Sequence, residues 1–353
     1  MRVLHLINRL DAGGVLRHVI DLAEGLAQQD VTSWIATWVP DGHTLRARDD
    51  VLVLPLYSQD GRRKSPYGAV RTITALRRFL ITERIDILHM HSRFATMLGA
   101  AAARDENIRR VYTVHNDFAD LSFLPWYPDT VIAPSESIRS SFLRNARLYR
   151  KGNVRVVPYG VPLAEGQRPH AITDTEFVFV GRMEPQKLPG LPLDALTYFP
   201  DTVRCSIGYY GGGTLQDELR AKADLLSRPD ATRFHGYVDN PWTEIGNPMA
   251  LLFPSDALDA LPYAILEAFA AAVPVIASDL PQLRELVRPG ETGLLFTPGD
   301  AHSLADRMLY ALEHPDTMRT MGAQARVFVR EHFSMQAMLH GTLEVYERLL
   351  PSP

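Results

Sequence analysis

Two carboxylates and two cations, each set beside an apolar segment, are the side chains of this 353-residue chain whose spacing points to chemistry. Asp259 and Glu267 bracket a segment in which Pro262 suits a first helical position and Ile265, Leu266, Phe269 and Ala270 recur at helical spacing. A helix start presents backbone N–H groups to an anion. At about 1.5 Å of rise per residue the two acids sit roughly 10 Å apart. That span matches a ligand carrying hydroxyl groups on either side of a diphosphate, such as a nucleotide sugar. Upstream, the run Phe177-Val178-Phe179-Val180-Gly181-Arg182-Met183-Glu184-Pro185-Gln186-Lys187 reads as a buried strand emptying into a turn. Gly181 lets the chain turn there. The Arg182 fork and the Lys187 point charge can take up the negative charge that grows on a leaving diphosphate.

The elements that must position these groups repeat a strand–turn–helix pattern. Val203 to Ile207, the turn Tyr209-Tyr210-Gly211-Gly212-Gly213-Thr214 and a helical pattern from Leu215 to Leu226 form one such unit. Arg2-Val3-Leu4-His5-Leu6-Ile7, the turn Asp11-Ala12-Gly13-Gly14 and the periodic Val15, Val19, Leu22, Ala23 and Leu26 form another. Ile85 to Ser92 and Arg110 to Asn116 read as buried strands ending in polar clusters, where open α/β sheets gather their active groups. Of His89 and His91, which alternate along one strand, a single side chain is expected to face the ligand. His235, within Arg233-Phe234-His235-Gly236-Tyr237-Val238, reads as a core histidine, and Asn240-Pro241 as an ordinary turn.

These strings resemble retaining glycosyltransferases of the GT-B fold, family 4 type. The acidic bracket is similar to the family's E-x7-E motif, with Asp259 as the first acid. Gly181, Arg182 and Lys187 are similar to its G-R-x4-K diphosphate clamp, with Leu188 where a Gly commonly follows. Ala271-Ala272-Val273-Pro274 stands where the family usually has a Gly before its Pro-Val-Ile strand. The resemblance implies that Glu267 meets the donor ribose and Asp259 the transferred sugar, with Ala260, Leu261 and Pro262 between them in the donor site. It further implies that Gly211 belongs to the G-x-G-P segment, that Tyr237 and Val238 lie where the base is held, and that Gly13 and Gly14 face the phosphates. His115, in the T-x-H element, becomes the residue expected at the transferred sugar.

The fold so implied is α/β, with two doubly wound Rossmann-like domains facing a central cleft. The expected boundaries are an acceptor-side domain over residues 1–163, a nucleotide-sugar domain over 172–333, and a C-terminal helix over 334–353 returning to the first domain. A chain of this length with 46% hydrophobic residues exceeds what one core usually organises. The single Cys205 cannot close an intramolecular disulfide, and Met1-Arg2 precedes too short an apolar run for a secretory leader. No apolar stretch approaches the roughly 18 residues of a membrane span. A cytoplasmic location is therefore expected.

The net charge of −4 divides unevenly. Residues 1–165 carry 22 Lys+Arg against 17 Asp+Glu, and residues 166–353 carry 15 against 24. Solvated helix faces explain most such excess. Its sharper implication is attraction of the basic half to an anionic acceptor or to the inner face of a membrane. A nucleic-acid partner is not expected, because no binding motif accompanies the charge. A zinc site built from the histidines lacks a Cys or a nearby carboxylate to complete a tetrahedral set, so no metal is expected, and no cofactor besides the donor. The expected activity is retaining, metal-independent transfer of a hexose from a UDP-linked donor to a hydroxyl of a glycan, glycolipid or small molecule, in the service of polysaccharide synthesis. A nucleotide-sugar 2-epimerase of GT-B architecture and a non-catalytic nucleotide-sugar-binding protein remain as alternatives. An NAD dehydrogenase is disfavoured because the first strand–turn–helix lacks G-x-G-x-x-G.

Overall fold

The computed structural model describes residues 1–7, 13–37, 52–55, 66–104, 107–115, 128–145, 151–163, 176–226, 231–238, 240–256 and 261–350. It divides into two units, built chiefly from Met1–Gly160 with Met335–Pro353 and from Val161–Leu258 with Pro262–Ser334.

In the first unit the order is β1 (Arg2–Leu6), α1 (Gly14–Ala27), β2 (Thr32–Thr37), β3 (Leu52–Pro55), α2 (Pro66–Thr82), β4 (Ile87–Met90), α3 (Arg93–Ala102), β5 (Arg109–Thr113), β6 (Thr130–Ala133), α4 (Glu136–Asn145) and β7 (Val154–Val156). The strands form one parallel sheet in the order β3-β2-β1-β4-β5-β6-β7. Parallel strands covered on both faces become apolar throughout, and β4 accordingly has no exposed residue. One face packs Leu4, Leu6, Leu88, Met90 and Tyr112 against α2 and α3. The other packs Val3, Ile87 and Val111 against Leu22 and Leu26 of α1. The same cluster takes in Met338, Leu339, Val345 and Tyr346 of the chain's last helix, Met335–Leu349. That helix thus belongs to the first core.

The second unit contains β8 (Glu176–Val180), α5 (Leu191–Leu196), β9 (Ser206–Tyr210), α6 (Gln216–Asp224), β10 (Thr232–Gly236), β11 (Ala250–Phe253), α7 (Tyr263–Ala270), β12 (Val275–Ser278), β13 (Gly293–Phe296), α8 (Ala301–Glu313) and α9 (Pro315–His332), and the C-terminal helix of the first unit becomes α10. Its sheet is again parallel, in the order β10-β9-β8-β11-β12-β13. Strand order reverses between β1 and β4 in the first sheet and between β8 and β11 in the second. Crevices at the carboxyl ends of strands flanking such a reversal are where doubly wound sheets hold ligands.

Candidate functional site

The turn leaving β8 occupies that position in the second unit. Gly181 donates its N–H to the Tyr210 carbonyl at 2.9 Å, and Met183 donates to Gly212 at 2.8 Å. Two glycines make this lacing possible. A Cβ on Gly211, whose φ is +131°, would lie 2.0 Å from the Gly181 oxygen, and one on Gly213 would lie 2.5 Å from the Met183 oxygen. Gly211 therefore serves the close approach of two backbones within the site. The Glu184 carboxylate closes the turn from the other side, accepting from the Thr214 amide at 3.2 Å and its hydroxyl at 2.8 Å.

This brace leaves the two cations at the strand end. Arg182 is exposed and makes no ion pair with another described residue. Lys187 ends the short 3-10 turn Pro185–Lys187 and places Nζ 5.2 Å from the centre of the Phe253 ring, at the end of β11. The turn is tied to that neighbouring strand end through the Gln186 carbonyl, which accepts from the Ser255 hydroxyl and the Asp256 amide, both at 3.2 Å. Leu188 follows with φ +44° and ψ +48°. This left-handed conformation costs an L side chain energy, which accounts for the glycine common at this point in the resembling enzymes.

After β11 the chain reaches α7, whose first amides have no capping side chain. Pro262 is the cap residue and not the first helical residue. Its ψ of 113° is extended, and its carbonyl already accepts from Ile265 and Leu266. Leu261 is buried beside it. Glu267 lies in the helix and accepts a hydrogen bond from Trp242 Nε1 at 3.2 Å. Nothing in the sequence marks this indole, because Asn240-Pro241 reads as a turn and no local pattern links Trp242 to a residue 25 positions on. Asp259 and Ala260 lie outside the described residues. Tyr237 is 65% exposed beyond β10, followed by the half-buried Val238. The expectation that His235 is a core residue is wrong: it is exposed and stacks on Tyr210 at 4.3 Å, because β10 is an edge strand with one face toward solvent.

In the first unit the strand ends carry imidazoles. Gly13 caps α1 and Gly14 begins it, and a Cβ on Gly13 would meet no described atom within 4 Å. The expectation that only one of His89 and His91 faces the functional side fails for a simple reason. Residues two apart on a strand share a face, and the two rings lie 4.1 Å apart. His5 is the register partner of His89, and His115 lies two residues beyond Thr113 on the same face. With His18 of α1, five buried histidines form one layer. His91 Nε2 lies 3.2 Å from His5 Nδ1, and His91 Nδ1 lies 3.1 Å from His115 Nε2. His115 Nδ1 meets the Tyr159 hydroxyl at 2.6 Å. His89 bonds the Tyr346 hydroxyl at 2.6 Å and the Thr113 hydroxyl at 2.7 Å. Burial disfavours the charged ring, which lowers His5 and His115 to a pKa of about 3 and holds His18, His89 and His91 well below their ordinary value.

Comparison with known proteins bears on the whole arrangement. The family model described as Glycosyl transferases group 1 matches residues 165–328, and that of Glycosyltransferase Family 4 matches residues 12–165. The chain is a GT-B glycosyltransferase of the family 4 type. This glycosyltransferase is 27% identical over 372 residues to a phosphatidyl-myo-inositol mannosyltransferase of Mycobacterium leprae, covering 96% of this chain and 94% of that one. It is 23% identical to the O-antigen chain mannosyltransferase C of Escherichia coli over the full length of both. Among solved structures, a glycosyltransferase of Rickettsia africae superposes with a TM-score of 0.83 at 20% identity, covering 100% of this chain and 99% of that one. Anabaena HepE in complex with UDP and glucose superposes with a TM-score of 0.81 at 19% identity, covering 98% and 99%. The glycosyltransferase thus shares their two Rossmann-like units.

Proposed function

We propose that this glycosyltransferase moves a hexose from a UDP-linked donor to a hydroxyl of a glycan, glycolipid or small-molecule acceptor, with retention of anomeric configuration. The observation that carries the reading is the braced turn from Gly181 to Lys187, at the strand-order reversal of the second sheet and tied to the end of β11. In this reading Arg182 and Lys187 hold the donor diphosphate, and the first amides of α7 add a partial positive charge. As the bond between anomeric carbon and diphosphate oxygen breaks, charge grows on that oxygen and the two cations stabilise it. The acceptor hydroxyl attacks the same sugar face and releases its proton toward the departing diphosphate. Glu267 takes the ribose hydroxyls, as a carboxylate accepts two hydrogen bonds from a diol, and Asp259 takes hydroxyls of the sugar. Tyr237 and Val238 lie at the base. In the same reading His115, two residues beyond β5, meets the transferred sugar.

The donor class draws support from the UDP and glucose in Anabaena HepE, and the acceptor class from the mannosyltransferase relatives. Fixed cations at the diphosphate make an added divalent ion dispensable there. The test follows the first-formed product by NMR, from α-linked UDP-glucose and GDP-mannose in parallel, with excess EDTA present. An α-linked product from the uridine donor is expected. A β-linked product overturns retention, activity restored only by magnesium or manganese overturns the cationic clamp, and transfer from GDP-mannose alone overturns the uridine assignment.

A further inference from the structure

The buried imidazoles beside His115 form a hydrogen-bonded chain that ends on a tyrosine. Tyr159, three residues beyond β7, is 3% exposed and brings its hydroxyl to 2.6 Å from His115 Nδ1. Its backbone is held on both sides. Val157 donates to the Ala133 carbonyl at 3.0 Å, and Gly160 donates to Met338 Sδ at 3.1 Å. His18 of α1 packs on both rings, its centre 5.1 Å from that of His115 and 4.7 Å from that of Tyr159. From His115 the chain runs through Nε2 to His91 Nδ1 at 3.1 Å, and through His91 Nε2 to His5 Nδ1 at 3.2 Å.

Burial keeps the three rings of this chain neutral, so each carries one N–H and one lone pair. A bond between two ring nitrogens has its donor on one side only, which leaves two proton orders for the whole chain. The contact at Tyr159 chooses between them. At 2.6 Å it falls below the roughly 2.7–3.2 Å of N–H donors to oxygen and suits a hydroxyl donor. The hydroxyl therefore donates to His115 Nδ1, His115 donates from Nε2 to His91 Nδ1, and His91 donates from Nε2 to His5 Nδ1. At the far end His5 Nε2 has no partner among the described residues, so nothing there opposes the order that Tyr159 imposes.

We propose that Tyr159 is a positioning residue for sugar transfer, whose hydroxyl holds the His115 ring and fixes the Nε2–H tautomer that donates to an oxygen of the transferred sugar. The proposal rests on the reading that places His115 at that sugar. A sugar oxygen competes with His91 Nδ1 for a proton whose place is already set, so binding needs no tautomer exchange. Without the Tyr159 hydroxyl the two proton orders become similar in energy, because each leaves one donor and one acceptor unpartnered at the ends of the chain. His89 stands outside the chain, its nitrogens engaged by the Tyr346 hydroxyl at 2.6 Å and the Thr113 hydroxyl at 2.7 Å. Tyr346 is therefore the matched control.

Nitrogen-15 NMR of the full-length chain labelled at histidine reads the tautomer, with the His115 signals assigned by their loss in His115→Gln. The parent should show a protonated Nε2 and an unprotonated Nδ1, and Tyr159→Phe a mixture of both tautomers. Turnover is followed as nucleoside diphosphate released from UDP-glucose or GDP-mannose, whichever the parent uses. Tyr159→Phe should lower kcat about tenfold and leave affinity for the free nucleoside diphosphate unchanged. Tyr346→Phe, the same deletion in the same buried layer, should leave kcat unchanged. In the His115→Gln background Tyr159→Phe should cost nothing further. Parental kcat in His115→Gln removes the sugar reading and the proposal with it. A kcat lost in His115→Gln but kept in Tyr159→Phe overturns the proposal alone, as do equal losses in Tyr159→Phe and Tyr346→Phe. Where a variant does not fold, the parent spectrum decides, and a His115 proton on Nδ1 overturns the proposal.

Discussion

Arg182 and Lys187 differ in kind as well as in charge. The guanidinium is a fixed fork in solvent, whereas the ammonium rests near the Phe253 ring. If both act on the leaving diphosphate, Arg182→Ala and Lys187→Ala should each cost roughly 3 kcal/mol of transition-state stabilisation, on the order of a hundredfold in kcat. Single-turnover rates at saturating donor read this directly, and parental rates in either variant would remove the clamp. Glu267 should act earlier, in binding. Glu267→Ala should weaken affinity for free UDP, whereas Asp259→Ala should keep that affinity and lose transfer. The bond from Trp242 adds a third arm. Trp242→Phe keeps the carboxylate and removes one donor that orients it, so UDP affinity should fall by about 1 kcal/mol, roughly fivefold. Calorimetric titration of the three variants separates the roles, and equal losses for Glu267→Ala and Asp259→Ala would contradict them. At this scale the two cations and Glu267 were legible because each sits within a few residues of a strand end or helix start. Trp242 was not, since its partner is reached only through the sheet. The histidines were individually visible, but their convergence needed the register between β1, β4 and β5.

The element scale is governed by places where backbones come close. Two residues beyond α7, Ala272 has φ +58°, the left-handed position that commonly closes a helix and that glycine fills without strain. A side chain there costs roughly 1–2 kcal/mol, partly offset because glycine gains about 0.5–1 kcal/mol of chain entropy on unfolding. Ala272→Gly should therefore stabilise the second unit by about 0.5–1 kcal/mol. The corner also sets a contrast. Gly322 of α9 faces the Ala272 carbonyl so closely that a Cβ would fall 2.1 Å from its oxygen, against backbone that cannot move aside. Gly322→Ala should destabilise where Ala272→Gly stabilises. Denaturant midpoints of the two variants test the pair, and a lowered midpoint for Ala272→Gly would mean that the alanine methyl contributes more packing than its backbone costs. Sequence pattern located these elements well, because parallel strands buried on both faces read as apolar runs and α7 reads at helical spacing. It missed Pro262 by one position, since proline suits both a cap and a first turn. It also misplaced His235, because nothing in the local string shows that β10 is an edge.

At the scale of the whole molecule the uneven charge remains to be given a role. The excess of cations lies in residues 1–165, and several of them lie together on α2. Arg71 and Arg78 are exposed there, with Arg77 half-buried, beside Val70 at 61% and Ile81 at 51% exposure. A helix that shows both bare aliphatic side chains and arginines toward water has the composition of a surface that rests on anionic lipid. Elsewhere in the same half Arg139 pairs with Glu136 at 2.6 Å and Arg110 with Asp129 at 3.3 Å. Among the described residues no helix is long and apolar enough to cross a membrane, so any attachment through them is peripheral. Each basic side chain near an anionic surface contributes about 1 kcal/mol at physiological salt, and that attraction is screened over about 10 Å at 0.1 M salt and about 3 Å at 1 M. The chain should therefore sediment with vesicles containing anionic lipid at low ionic strength, release as salt approaches 1 M, and ignore neutral vesicles throughout. Replacing Arg71 and Arg78 together with Gln should lower the bound fraction at low salt by an order of magnitude or more, about 2 kcal/mol for two charges, while Val70→Ser should reduce what binding persists at high salt. Equal binding to neutral and anionic vesicles, or none to either, would assign the basic half to a soluble anionic acceptor, and the double variant would then raise KM for acceptor without changing donor affinity.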